Sequence, residues 1–257
     1  MIDLSILSLV FISAMCFFAG FVDSIAGGGG LISLTSYYAI GLPPSYALGN
    51  NKFSSTFGTL FASINYARKK VIIWKVAITA SIFALIGSTL GANIALMING
   101  DFFSYIMLIL LPTVTIFTFC RKQKKDSDSL KFELSAKKLI SSAAIGFAVG
   151  LYDGFFGPGT GMFLTIAFSA ISMPLLQASG TTKIVNLSSN IAALITFVIN
   201  GNIIYSLGIV CAIFSIIGNY LGSMFALNKK SKAIKPMLLL VIALLYIKII
   251  VDLIGKN

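Results

Sequence analysis

The sequence predicts an all-α polytopic membrane protein: two inverted-topology repeats with glycine-broken helices or re-entrant hairpins. Three observations predict it. First, 57% of the residues are hydrophobic and only 11% charged, with a mean hydropathy of +0.96, whereas soluble domains carry about 25% charged residues. Second, two glycine-rich breaks, GFVDSIAGGGG at 20–30 and GLYDGFFGPGTG at 150–161, interrupt apolar runs at matching places, each with one aspartate at its edge. Third, the basic loops change places between the halves. With about 20 residues per span, the chain holds about 8–10 membrane segments and no soluble domain beside them.

The first apolar run, 4–22, ends at Asp23 and the first break. It lacks a basic n-region and an A-x-A-like cleavage site, so the N-terminus is expected to be retained rather than removed as a signal peptide. Neither four consecutive glycines nor Gly157-Pro158-Gly159 continues a regular helix, because glycine loses too much backbone entropy and proline lacks the N–H. In hydrocarbon, broken backbone persists only where it is buried in protein or lines a cavity. Matched discontinuous segments in two halves point to a transporter's binding site. A short run at 31–42 stops at Pro43-Pro44. About twelve helical residues rise about 18 Å against a hydrocarbon core of about 30 Å, which suits a half-helix or the returning arm of a re-entrant hairpin.

A third segment, 46–67, carries LGNNKFSSTFG, and spans at 73–98 and 102–120 follow. The polar stretch RKQKKDSDSLKFELSAKK at 121–138 is the natural linker between a first membrane repeat, 1–120, and a second, 139–257. The same order then returns: an apolar run at 139–152, the break at 157–161, and a short run at 162–173 before Pro174. A segment at 177–199 carries SGTTKIVNLSS, and spans at 203–227 and 237–254 close the chain.

The repeat is visible residue by residue. At an offset of 130, Gly20, Asp23, Gly27, Gly29 and Pro44 meet Gly150, Asp153, Gly157, Gly159 and Pro174. After one inserted residue the offset is 131: Gly49, Lys52, Gly87 and Gly91 meet Gly180, Lys183, Gly218 and Gly222, and Trp74 meets Tyr205. Such coincidence implies gene duplication. Gly87-x-x-x-Gly91 and Gly218-x-x-x-Gly222 let helices approach closely, either within the monomer or across a homodimer.

The net charge of +11 does not indicate nucleic acid, since most of the 19 basic residues cluster at 68–75, 121–138 and 229–235, beside apolar spans. Such clusters are topology signals. In the first half the loop at 68–75 is basic and Asn99-Gly100-Asp101 is not; in the second half Asn200-Gly201-Asn202 is neutral and 229–235 is basic. This exchange is what upside-down insertion of the second half produces. The basic loops are therefore expected in the cytoplasm and both termini outside, in the cell inner or plasma membrane.

With no histidine in the chain, imidazole metal sites and histidine acid–base chemistry are excluded. Cys16, Cys120 and Cys211 lie far apart in apolar sequence and read as packing residues, not a redox pair or a metal site. Neither a nucleophile–base couple nor a catalytic residue stands out, so no enzyme, no metal and no cofactor is expected. G-x-x-x-x-G-K-[ST] is absent, which argues against ATP drive within this chain.

Away from loops and termini, the charged residues at membrane depth are Asp23, Lys52, Asp153 and Lys183, with Lys248 less central. Each costs at least about 2.5–3.5 kcal/mol near the bilayer centre. Two explanations coexist. The aspartates pair with the lysines to staple the breaks to the third segments; or the lysines attract an anion while Asp23 and Asp153 titrate, as candidates for proton coupling. The neighbours favour an anion: Asn50, Asn51 and Ser54 surround Lys52, and Thr181, Thr182 and Asn186 surround Lys183. The breaks, Gly27, Gly28, Gly29 and Gly30 in one half and Gly157, Gly159, Thr160 and Gly161 in the other, expose backbone N–H groups at helix starts that carry partial positive charge.

These residues carry a resemblance. GFVDSIAGGGGLISL followed by GLPPSYALGNNKFSSTFGT, with the degenerate second copy GFFGPGTG…ASGTTKIVNLSSN, resembles the sulfite exporter TauE/SafE family, also called 4-toluene sulfonate uptake permeases, over nearly the whole chain. The resemblance implies a bacterial or archaeal inner-membrane carrier of a small sulfur-containing anion such as sulfite, thiosulfate, sulfoacetate or another sulfonate. It also implies that the segments at 27–30, 50–52, 157–161 and 181–183 line the pathway. The expectation is a secondary transporter with alternating access to a midplane anion site. A membrane scaffold or assembly protein without a transported ligand, and a passive anion channel, are the alternatives.

Overall fold

The structure, a computed structural model, describes residues 5–98 and 132–228 together with 102, 106, 109 and 113. The expected span at 237–254, the basic loop at 229–235, Lys248, Cys120, and all but a few positions of 99–131 lie outside the described residues.

Within the two described stretches, 5–98 and 132–228, eight helices follow in order: α1 (Ile6–Ala26), α2 (Gly29–Ala39), α3 (Pro44–Arg68), α4 (Trp74–Met97), α5 (Ala136–Phe155), α6 (Thr160–Ala170), α7 (Leu175–Ile199) and α8 (Tyr205–Leu227). No strand occurs among the described residues. Local chemistry sets the starts. Ser5 caps α1 by accepting from the Ser8 amide at 3.1 Å, and Ser135 caps α5 by accepting from the Lys138 amide at 3.3 Å. Pro43 and Pro174, at φ −56° and −54°, precede α3 and α7, where a fixed φ and a missing N–H cost nothing.

The helices of the two halves match in length: 21, 11, 25 and 24 residues against 20, 11, 25 and 23. They also refine the sequence register. Pro174 corresponds to Pro43, not Pro44, and Ser172, at φ +68°, corresponds to Gly41, at φ +83°. The inserted residue is therefore taken up inside the second break, where Gly157-Pro158-Gly159 stands against Gly27-Gly28.

The breaks are set by backbone that only glycine accepts. Gly27 ends α1 at φ +75°, with its N–H on the Asp23 carbonyl at 2.8 Å. A Cβ there would also collide with the backbone of Gly161 and Met162 at the start of α6. Gly159, at φ +84°, opens α6 in the same left-handed region.

Helix directions follow from the contacts. Along α1 and α8, Gly218 packs on Phe17 and Gly222 on Phe21; along α4 and α5, Gly87 packs on Phe147 and Gly91 on Leu151. Both pairs run parallel. The two small-xxx-small motifs are thus engaged within the chain, because their bare backbones admit the facing carbonyls. On α3 and α8, Gly58 lies against Ser215 and Asn219, and Asn65 Nδ2 donates to Ser223 Oγ at 2.7 Å, again parallel. On α4 and α7, the Ile73 amide donates to Thr181 Oγ1 at 3.1 Å and Ser88 Oγ to the Ser189 carbonyl at 2.6 Å. The central pair is different. Lys52 meets Asn190 at 3.0 Å and Ser63 Oγ donates to the Lys183 carbonyl at 3.2 Å, so α3 and α7 run antiparallel.

α1, α4, α7 and α8 are long and apolar enough to cross a membrane. Isoleucine and leucine stripes at four-residue spacing, Ile78-Ile82-Ile86-Leu90 on α4 and Ile209-Ile213-Ile217-Leu221 on α8, are exposed on the outside. This inversion of the soluble pattern is what lipid as the surrounding solvent demands. α3 fails the hydropathy requirement because it carries the polar residues, Asn50, Asn51, Lys52, Ser54 and Thr59, buried in the interior.

Cys16 and Cys211 are both free and buried. They are distant in sequence, but the packing of α1 on α8 brings both buried thiols into one cluster with the Tyr37 hydroxyl, 3.5 Å from Cys16 Sγ.

Candidate functional site

The site is where both breaks meet the middle helices. Lys52 Nζ lies 2.7 Å from Asp153 Oδ1, and Lys183 Nζ lies 3.0 Å from Asp23 Oδ2. Each aspartate stands near the end of the first helix of one half; each lysine stands on the third helix of the other half. The staple anticipated from sequence exists, and it crosses between halves because α3 and α7 lie antiparallel.

Both pairs border one space: Asp23, Lys52 and Asp153 line the same cavity, and Lys183 reaches Asp23 from α7. Asp153 is fully engaged. Its Oδ1 also accepts from Thr160 Oγ1 at 2.7 Å and its Oδ2 from Ser189 Oγ at 2.7 Å, and Lys52 gives a second hydrogen bond to Asn190 Oδ1. Asp23 is held more loosely. Lys183 donates to its backbone carbonyl at 2.6 Å as well as to Oδ2, and 17% of the Asp23 side chain is exposed against 2% for Asp153.

Two adjoining narrow cavities open onto this network. One is lined by Asp23, Gly30, Asn51, Lys52, Asp153, Gly157, Gly159, Thr160, Gly161 and Asn186, together with Ser55, Thr59 and Asn190. The other adds Gly29, Ser33, Ser54, Ser215 and Asn219 around Asp23. Because Gly30 and Gly161 belong to the first turns of α2 and α6, two half-helix N-termini face the same space. First-turn N–H groups lack intrahelical partners and carry partial positive charge.

Several sequence-expected residues stand elsewhere. Gly27 and Gly28 shape the turn and do not line the cavities. Asn50 turns its Nδ2 back to the Tyr46 carbonyl at 2.9 Å. Thr181 accepts the Ile73 amide at the start of α4, and Thr182 accepts from Thr165 Oγ1 at 3.2 Å. Asn51 lines the cavity with its Oδ1 accepting from Ser33 Oγ at 2.6 Å. Asn186 lines it with no hydrogen bond on its side-chain amide among the described residues.

Ser55, Thr59, Ser189, Asn190 and Asn219 were not singled out from sequence. Ser55 and Thr59 stand three and seven residues beyond Lys52, and Asn186 and Asn190 three and seven beyond Lys183. That helical spacing places each set on the lysine's own face, and it is the signal that could have found them. Asn219 has no such signal; only the α1–α8 contact brings it to Ser24, whose Oγ donates to its Oδ1 at 2.8 Å. No cluster of three or more metal-ligating side chains occurs among the described residues.

The sulfite exporter TauE/SafE family matches residues 12–249. A probable membrane transporter protein, ORF9, of Sinorhizobium sp is 32% identical over 97% of this chain and 95% of its own length. The probable membrane transporter protein YfcA of Escherichia coli K12 is 32% identical over 100% of this chain and 94% of its own length. A probable membrane transporter protein of Haemophilus influenzae is 31% identical over 97% of each chain. No solved structure matches.

Proposed function

This chain belongs to the sulfite exporter TauE/SafE family, and we propose that it is a secondary transporter of a small sulfur-containing anion, working by alternating access. The family and its relatives make it a multi-pass membrane transporter; the substrate class and the mechanism are our reading. The observation that carries the reading is the convergence of two half-helix N-termini, at Gly30 and Gly161, on one cavity with Lys52. Amide dipoles aimed at one point favour a compact oxyanion.

In this reading the residues divide the work. Gly29, Gly30 and Gly161 present backbone N–H groups without a side chain to block approach. Asn51, Asn186 and Asn190 donate amide hydrogen bonds, and Lys52 and Lys183 supply positive potential. Lys52, Lys183, Asp23 and Asp153 sum to zero charge, so an anion enters a neutral site and reaches an ammonium only when an ion pair opens. The antiparallel course of α3 and α7 supports two halves inserted with opposite orientation, which gives the pathway two symmetry-related conformations. The basic loop at 68–75 would then face the cytoplasm.

The test is thermal stability of the purified full chain against sulfite, thiosulfate, sulfate, sulfoacetate and taurine, with chloride as control, at fixed pH and ionic strength. A ligand that binds only the folded state stabilises it by about 2.7 kcal/mol at 100 times its dissociation constant. A shift with a sulfur oxyanion that disappears in Lys183→Ala is the expected result. A well-folded sample that responds to none of them overturns the reading and favours a scaffold.

A further inference from the structure

We infer that the two ion pairs have different tasks: Asp23 is the carboxylate that takes up a proton and frees Lys183 for the anion, whereas Asp153–Lys52 stays ionised as a fixed strut. The sequence repeat treats the two aspartates as equivalent. Their surroundings do not.

Both Asp153 oxygens are engaged by three donors, Lys52, Thr160 and Ser189, and the ion pair is 1% and 2% exposed. Protonating Asp153 would leave Lys52 as a buried cation with only Asn190 as partner, and would turn Thr160 or Ser189 away from an acceptor. Asp23 has the opposite character. Its Oδ2 meets Lys183 alone and its Oδ1 has no protein donor among the described residues. It lines both cavities, and its side chain is the more exposed of the two. Lys183 also binds the Asp23 backbone carbonyl at 2.6 Å. Protonation of the side chain therefore leaves the ammonium anchored, with a donor free to turn.

The groups facing Asp23 are few: on its own helix, the Cys16 thiol lines one of the cavities with it. From α7 comes Lys183. From α3 come Lys52 at longer range and Tyr66, whose hydroxyl is committed to the Ser24 carbonyl at 3.0 Å. Asp153 of α5 stands across the cavity. α2, α6 and α8 offer glycine backbone, serine and Asn219, none of which titrates near neutral pH.

The step balances. A proton from water bonds to Asp23, whose charge goes from −1 to zero; Lys183 keeps its own proton, leaves the carboxylate and donates to the oxyanion. On release the proton returns to water and the pair re-forms. One carboxylate carries one proton per cycle, in addition to the charge of the anion. This inference rests on the anion-carrier reading, but its proton half is measurable without any anion.

The experiment is infrared titration of the purified full chain, following the carboxylic acid carbonyl band as pH falls, with and without thiosulfate. The wild type is expected to show a titrating buried-acid band that thiosulfate strengthens at fixed pH. Asp23→Asn should abolish that band. Asp153→Asn should retain it, and if that variant does not fold, Ser189→Ala takes its place. A band that persists in Asp23→Asn, or that disappears with Asp153→Asn, overturns the division of tasks. A band that titrates through Asp23 but ignores thiosulfate and the other sulfur anions supports the proton assignment and removes the anion-carrier reading instead.

Discussion

Lys52 reaches Asp153 at 2.7 Å with both side chains sealed from solvent, so the third helix of one half is locked to the first helix of the other by a buried charge pair. Removing one member strands the other without water. Lys52→Ala is expected to destabilise by about 3–5 kcal/mol, and Lys52→Met combined with Asp153→Leu to recover most of it. Thermal unfolding of the three proteins in one detergent checks this.

The looser pair should matter less to stability. Asp23 is 17% exposed and meets one donor, so water rescues a stranded partner in part. Asp23→Asn and Lys183→Ala are expected to lower the melting temperature less than Asp153→Asn and Lys52→Ala do. Equal losses would mean that the exposure difference carries no energetic weight.

Thr181 and Asn186 separate architecture from binding. Thr181 Oγ1 accepts the Ile73 amide, and its loss orphans a partly buried N–H at a cost of about 1–3 kcal/mol. Thr181→Val should therefore reduce stability and leave the thiosulfate-induced shift unchanged. Asn186→Ala should do the reverse, since its amide lines the cavity without a protein partner. Paired melting curves with and without thiosulfate read both effects.

Gly27 and Gly41 make a matched test of the break. Both have positive φ, +75° and +83°, but a Cβ at Gly41 meets open space while one at Gly27 meets the backbone of α6. Gly41→Ala should cost only the left-handed penalty of about 1–2 kcal/mol. Gly27→Ala adds a collision that neither glycine nor helix start can relieve, and folded yield in the membrane should fall sharply.

Much of this was readable beforehand. Four charged residues at membrane depth, two glycine breaks and a repeat offset located the centre of the molecule, since hydrocarbon tolerates such features only for a reason. What the sequence lacked was the pairing. An offset relates Asp23 to Asp153 and Lys52 to Lys183, but says nothing about which aspartate meets which lysine; the antiparallel packing of α3 on α7 decides that. The same contact carries Asn190 to Lys52. Thr181 looked like a ligand because it lies two residues from Lys183, yet two residues on a helix turn the side chain by about 200°, which aims it at the start of α4. Asn219 entered the site only through parallel packing of α1 and α8, which no local pattern encodes.

The most direct test of the central claim is flux of radiolabelled thiosulfate and sulfite through the full chain in proteoliposomes, with unlabelled anion on the opposite side. The account predicts saturable uptake, accelerated by opposite-side anion and abolished in Lys183→Ala protein that is still inserted. Flux that never saturates and ignores the opposite side would contradict alternating access and indicate a channel. Absence of flux for every sulfur anion, in protein that is folded and inserted, would contradict the assignment itself.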